Sequence, residues 1–379
     1  KLKALNPAHL WRDLDLGDEG WEERLRTGAE QAAALGIGLE LSVVAAPGDA
    51  GFDRLAAAIP ALPVPVLRVF VFPALSRPVV FPRHDLETTP EVMASARDAF
   101  SRVGVKTALG GGTRAYFTEF NRALALPLDQ MEVATYTINP QIHAFDNLSI
   151  VETLSAQAET VASAKAIAGE LPLAIGPITF KQPFNPNATA APPPAAPDEL
   201  PPEVDPRQLS LFGAGWTLGS IHRLAEAGAA SLTYYETTGW RGVMERAENL
   251  TRPHLFPSRP DQLFPLYHVF AALADFAGGD VLPVTLRDQL ATEALAVRSG
   301  DRVRILVANF EDAPRSTTLR APIADATVRT LDEANAEVAM MDVNHLRAEG
   351  GTPIESAGGT LTVELKPFAV ARIDGRFAG

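Results

Sequence analysis

A barrel of parallel strands and crossover helices, followed by an all-β sandwich, is the fold class this sequence predicts. Three observations carry that prediction. Over roughly the first 280 residues, apolar runs of strand length alternate with helical patterns, as in parallel βαβ units. Seven such strand runs are found there, which suits a (β/α)8 barrel better than an open sheet. After Gly279 the helical period disappears, and short period-two runs separated by Gly, Pro and Asp turns take over.

The elements follow in chain order. His9 to Leu16 reads as a strand and Glu19 to Leu35 as an amphipathic helix. Gly38 to Ala46 is a strand, and Asp53 to Ile59 a short helix that Asp53 can cap. Val66 to Phe72 is a strand, and Pro90 to Val103 a helix with proline in its first turn. Val105 to Gly110 is a strand that ends in a glycine triplet. Met131 to Ile138 is a strand, Ser149 to Gly169 a long helix, and Pro172 to Phe180 a strand. Ser210 to Gly228 is a helix, Ala230 to Glu236 a strand, and Gln262 to Phe276 the last helix. Lys1 to His9 resembles a helix end entering a strand, so the barrel is expected to lack its first strand in this chain, with a groove or open edge beside His9 to Leu16. The rival count makes His9 to Leu16 strand one and requires a short eighth strand after Gly242.

The sandwich is expected over 281–379, from runs at Val303 to Asn309, Ala326 to Leu331, Thr360 to Leu365 and Ala369 to Ile373. The barrel domain is placed at 1–280. Its Pro/Ala-rich stretch, 182–207, cannot be a central helix or strand and reads as a long loop, either a lid or a loose insertion.

Composition excludes several function classes. Hydrophobic residues make up 46% and charged residues 21%, the balance of an ordinary globular chain. The net charge of −13 argues against nucleic acid and against anionic membrane surfaces as partners. With no cysteine, disulfides, thiolate metal sites and cysteine nucleophiles are out. The seven histidines are scattered, no His-Glu-x-x-His occurs, and neither a metal nor another cofactor is expected. Gly-x-Ser-x-Gly is absent, and Gly213-Ala-Gly215 has no preceding strand, so it is no dinucleotide fingerprint. No apolar run approaches membrane-span length and no signal-peptide pattern opens the chain, so a cytoplasmic location is the expectation. The Asn-x-Ser/Thr sequons at Asn147, Asn187 and Asn249 read as chance matches.

What remains are polar residues near strand ends, where barrels carry their chemistry. Asp13 and Asp15 share one face of the first strand, while Glu40 and Arg68 stand in apolar strands as mutual neutralising partners. A satisfied internal ion network is the competing reading of these four. Tyr116 and Glu119 follow the glycine triplet. Asn139, Gln141 and His143 alternate after another strand and can project to one side. Lys181 closes a strand and offers positive charge; Glu236 ends the last, with Trp240 as an apolar platform or, alternatively, a core anchor. Glu119 and Glu236 are then paired carboxylates for acid/base work on a small sugar-derived substrate.

Three segments together resemble the D-apionate lactonase family: Ala115-Tyr-Phe-Thr-Glu-Phe-Asn-Arg122, Ile138-Asn-Pro-Gln-Ile-His-Ala-Phe-Asp146 and Tyr235-Glu-Thr-Thr-Gly-Trp-Arg-Gly242. The resemblance runs along most of the chain. It implies a glycoside-hydrolase-like barrel that opens D-apionolactone to D-apionate. On the residues, Glu119 and Glu236 are the expected catalytic pair, with His143 competing as base. Tyr116 and Lys181 would hold the oxyanion, and Asp13, Asp15, Glu40, Arg68, Asn139 and Trp240 would bind substrate. A glycosidase using the two glutamates and a non-catalytic sugar-binding barrel are the alternatives. The gap beside the first strand is expected to be filled by a partner chain, as in a homo-oligomer, by a further segment, or by a rearranged loop.

Overall fold

The computed structural model describes residues 1–74, 86–123, 125–188, 190, 193–248, 250 and 252–378. Among these residues, seven strands build the barrel wall: β1 His9–Asp15, β2 Gly38–Ala45, β3 Val66–Pro73, β4 Ala108–Tyr116, β5 Val133–Thr137, β6 Ala174–Ile178 and β7 Ser231–Tyr234. β1 to β5 form one parallel sheet in chain order, and β6 pairs with β7. Parallel bridges Ala134–Leu173 and Ile138–Ile178 join the two pieces, so the wall runs continuously from β1 to β7.

Among the described residues, six helices cover this wall: α1 Trp21–Leu35, α2 Gly51–Ala58, α3 Pro90–Val103, α4 Phe117–Arg122, α5 Asn147–Ala168 and α6 Leu211–Glu226; α7 Pro265–Leu273 follows β7. Several starts are set by capping side chains. Thr89 accepts from Val92 N–H, Asp146 from Ser149 N–H and Ser210 from Gly213 N–H. Asp53 is not a cap: α2 begins two residues earlier, and the Asp53 carboxylate pairs with Arg102 at 2.5 Å.

The alternation within strands explains the layers. Leu39, Leu41, Val43 and Ala45 of β2 pack outward with Val69, Val71 and the helix residues Leu25, Ala29, Phe52, Leu55, Met93 and Ala96. Val44, Phe70, Phe72 and Val133 pack together on the inward face. The glycine triplet does not end β4, which continues through it to Tyr116. Gly112 has φ +145°, and a Cβ there would lie 2.0 Å from the Thr135 carbonyl oxygen, so only glycine lets β4 approach β5 this closely.

Among the described residues, no strand pairs with the free edge of either β1 or β7. The two edges are bridged by side chains, with His9 Nε2 2.7 Å from Thr233 Oγ1. The groove expected beside the first strand is therefore present. After Gly242 the chain makes only isolated bridges, Glu236–Gly242 and Met244–Leu263, so the rival eighth strand is not found among the described residues.

The sandwich begins with β8 Asp280–Leu282 and continues with β9 Thr292–Ser299, β10 Arg302–Asn309, β11 Arg315–Arg320, β12 Ile323–Leu331, β13 Thr352–Pro353, β14 Thr360–Leu365 and β15 Val370–Phe377. One sheet has the order β13-β12-β15-β10-β9-β8, and β11 pairs with β14. All of these pairings are antiparallel. Helix α6 joins barrel and sandwich. A Cβ on Gly215 would stand 3.1 Å from the Phe310 ring, and one on Gly219 would stand 2.9 Å from Glu293 Cγ, so the small residues of this helix let the sandwich sheet approach. Within Gly213-Ala-Gly215, Gly215 serves that packing, while Gly213 admits the Arg207 carbonyl oxygen, 2.3 Å from where its Cβ would stand.

Candidate active site

A cavity of about 850 Å³ opens along the gap between β1 and β7. Consecutive residues of both strands line it, from His9 to Asp13 and from Ser231 to Tyr234, so it passes through the wall rather than capping one end. From the lumen side come Ser42, Phe72 and Thr137, and from the C-terminal ends of the strands come Arg114, Thr179, Glu236 and Arg241. Trp11 gives it an aromatic wall: its ring stacks on Phe70 with centroids 5.1 Å apart, and its Nε1 donates to Asp13 Oδ1 at 3.3 Å.

Of the residues expected to form the site, Asp13 and Glu236 line this cavity. Glu236 follows β7, is 45% exposed and is ion-paired with Arg241. Asp15 points its carboxylate at the Gly17 amide, 2.9 Å away. Tyr116 and Glu119 make a separate cluster beyond β4. Asn187 donates to the Tyr116 hydroxyl at 3.0 Å and to Glu119 Oε1 at 3.5 Å, and Arg122 lies 3.6 Å from Glu119. Burial pushes the Tyr116 phenol above its ordinary pKa, so it stays a neutral hydroxyl at pH 7.

The loop that brings Asn187 there is the Pro/Ala-rich stretch, in which residues 189, 191 and 192 lie outside the described residues. Its far end is braced by buried Asp205. Burial opposes ionisation of Asp205, but three N–H bonds from Arg207, one of them from its backbone amide, and one from Gln141 outweigh it and hold the carboxyl below the usual range. The sequon amide of Asn187 is thus engaged in contacts of its own, and Asn249 lies outside the described residues.

Several expected placements are corrected. Glu40 and Arg68 do form the ion pair the sequence suggests, but as the third residues of β2 and β3 they sit in the N-terminal half of the wall, away from the strand C-termini. Glu40 is fully buried; burial raises its pKa against the pull of Arg68. Asn139, Gln141 and His143 are not brought to one site. Gln141 is buried and bonded to Phe180 O and Asp205, His143 is exposed, and Asn139 keeps a buried Oδ1 without a partner among the described residues. Neither Asn139, His143 nor Lys181 lines the cavity. Trp240 packs on Phe256 at 6.3 Å and, with Glu236 and Glu245, lines a second hollow of about 310 Å³.

Sequence reasoning missed His9, Arg114, Thr137 and Thr233. His9 is informative because of its charge state. Burial, then the nearby Arg68 guanidinium, lowers its pKa to about 4, so the 3.6 Å approach to Glu40 is not an ion pair at pH 7. The unfolded residue titrates at 6.5, so below that pH the unfolded chain takes up a proton that the folded chain refuses. Stability from His9 is present above pH 6.5 and is lost as pH falls towards 4, by roughly 3 kcal/mol. Urea melts of wild type and His9→Gln between these limits check this. The variant should lose visibly less stability on acidification, and equal losses would discard the neutral-His9 assignment.

Among the described residues no group of His, Asp and Glu is placed to hold a metal ion, and no helix is long and apolar enough to cross a membrane.

The barrel with its β-sandwich is a glycoside-hydrolase-like architecture. It superposes on the α-L-arabinofuranosidase from Thermotoga maritima with a TM-score of 0.62 at 12% identity, covering 99% of this chain and 89% of that one. With the GH30 endoxylanase from Clostridium papyrosolvens C71 the TM-score is 0.58 at 13% identity, covering 98% and 90%. At such identities the likeness shows the fold alone.

Sequence narrows the class. Residues 1–278 match the D-apionate lactonase TIM barrel domain and residues 290–373 the D-apionate lactonase C-terminal immunoglobulin-like domain, so the chain belongs to the D-apionate lactonase family. The D-apionate lactonase of Brucella anthropi is 32% identical over 216 residues; that stretch is 56% of this chain and 34% of the relative, so the chain matches about a third of the relative's length.

Proposed function

We propose that this chain hydrolyses a sugar lactone, D-apionolactone, to the open-chain acid in the cavity between β1 and β7. Family membership over residues 1–278 is the observation that carries this reading. Glu236, the carboxylate at the end of β7 that lines the cavity, takes a proton from water as the water oxygen attacks the lactone carbonyl. The tetrahedral intermediate collapses with cleavage of the bond to the ring oxygen, and Glu236 returns the proton to that oxygen. Arg241, beside Glu236, keeps the carboxylate oriented. Asp13 and the Trp11 face hold the sugar hydroxyls and ring.

The test is a panel of aldonolactones and aryl glycosides incubated with the protein, following acid and aryl release. Acid release from D-apionolactone is the expected outcome. Aryl release without acid release would replace the reading with a glycosidase, and neither release, with sugars still bound, with a non-catalytic barrel.

A further inference from the structure

We propose that the cavity is built to hold an anion, and that Arg114 is the cation that receives the carboxylate formed when the lactone opens; the identity of that carboxylate rests on the function proposed above. The chain as a whole carries a net charge of −13. Its cavity has the opposite sign: among the described lining residues, four arginines (Arg12, Arg114, Arg241 and Arg246) face two carboxylates, Asp13 and Glu236. A concave site of one sign, walled by low-dielectric protein, concentrates ligands of the other sign.

The four arginines are not equivalent. Arg12 donates to Gln31 Oε1 at 2.6 Å. Arg241 is committed to Glu236. Arg246 also has no ion-pair or hydrogen-bond partner for its guanidinium among the described residues, but it is exposed and so already solvated. Arg114 is half-buried, and among the described residues its guanidinium has neither an ion-pair nor a hydrogen-bond partner. It is the seventh residue of β4, near the C-terminal end, and the three residues 110–112 before its neighbour Thr113 are glycines, which carry no side chain to compete for the space.

A half-buried guanidinium with its N–H fork unused is matched to a planar carboxylate, which it can bind through two parallel bonds. Lactone hydrolysis supplies such a group. Negative charge develops on the carbonyl oxygen in the transition state and then resides on the product carboxylate, while the substrate is neutral. A neutral sugar would leave this cation unused.

The test measures binding of D-apionate, and of a neutral polyol of similar size, to wild type, Arg114→Gln and Arg114→Lys by calorimetry. Wild type is expected to prefer the aldonate, with a preference that weakens as salt rises. Arg114→Gln should lose about tenfold or more in aldonate affinity, and Arg114→Lys should recover part of it, because the charge remains while the fork is lost. Polyol binding should stay the same in all three, which a merely structural defect would not allow. Aldonate affinity within about twofold of wild type in Arg114→Gln would overturn the proposal. Failure of the lactonase reading is separate: wild type would then release no acid from D-apionolactone, whatever the calorimetry shows.

Discussion

Replacing Glu236 by Gln is expected to lower lactone hydrolysis by about 10²–10⁴-fold while leaving the fold almost unchanged. The amide keeps the size and planarity of the carboxylate and removes its ability to take a proton from water. Folding should hardly respond, since the Glu236–Arg241 pair is half-exposed on one side and a third exposed on the other, and such pairs contribute about 0–1 kcal/mol. Glu119→Gln is the internal comparison. Glu119 lies outside the cavity and is held by Asn187 and Arg122, so its substitution should cost far less than that of Glu236. His143→Asn should cost less still, because that side chain is exposed on the turn after β5. Rates of acid release from D-apionolactone at saturating and at low substrate separate the three. Wild-type turnover in Glu236→Gln with loss in Glu119→Gln would move the base to the cluster beyond β4, and loss in His143→Asn alone would assign it to histidine.

Much of this fold was legible from periodicity alone. Most of the barrel strands and covering helices were placed within a few residues because they have long apolar faces: β2 and β3 read as near-continuous Val/Leu/Phe runs, and α3 has proline at its start and glycine at its end. The six-residue α4, which buries only Phe120, gave no such signal and was not predicted. β11 was missed because it alternates Arg, Ser and Thr with a single Leu and is only half-buried, which leaves little hydrophobic signal. β4 was cut short because glycines ordinarily end strands; here Gly112 is demanded by the Thr135 carbonyl, a contact that exists only once β5 is in place.

The site was less legible for a related reason. Whether a strand residue faces a cavity depends on register and on which strands leave a gap, and neither is local. Asp13 and Glu236 were recognisable as charged residues near strand ends. Glu40 and Arg68 look the same in sequence, yet the register Glu40–Arg68–Ala108 puts them low in the wall. His9 and Thr233 are unremarkable until β1 and β7 face each other across the opening. Arg114 directly precedes the Ala115–Arg122 motif but gave no signal, since its missing ion pair is a property of its surroundings.

Glu293→Ala should destabilise the protein by about 3–5 kcal/mol, the cost of removing one member of a buried charge network. Glu293 is the second residue of β9 and fully buried. Its Oε1 lies 2.7 Å from His222 Nδ1 and 3.1 Å from the Ala294 amide, and its Oε2 accepts from Arg223 Nε at 2.8 Å. His222 is itself buried, and its other nitrogen, Nε2, lies 2.5 Å from Glu226. The whole network therefore spans α6 of the barrel and the first long strand of the sandwich. Truncation leaves Arg223 and His222 facing an empty space where Gly219 already brings the helix close to the strand, so no neighbouring side chain can move in to satisfy them. Glu293→Gln should cost less, because one amide oxygen still accepts a bond. Since the network ties the two layers together, urea unfolding of Glu293→Ala should also separate into two transitions, one reported by tryptophans 21 and 216 of the barrel helices and one by loss of sandwich β-structure. A single transition at wild-type stability would show that apolar packing between α6 and β10, at Gly215 against Phe310 and Ala308, suffices to hold the sandwich in place without the charges.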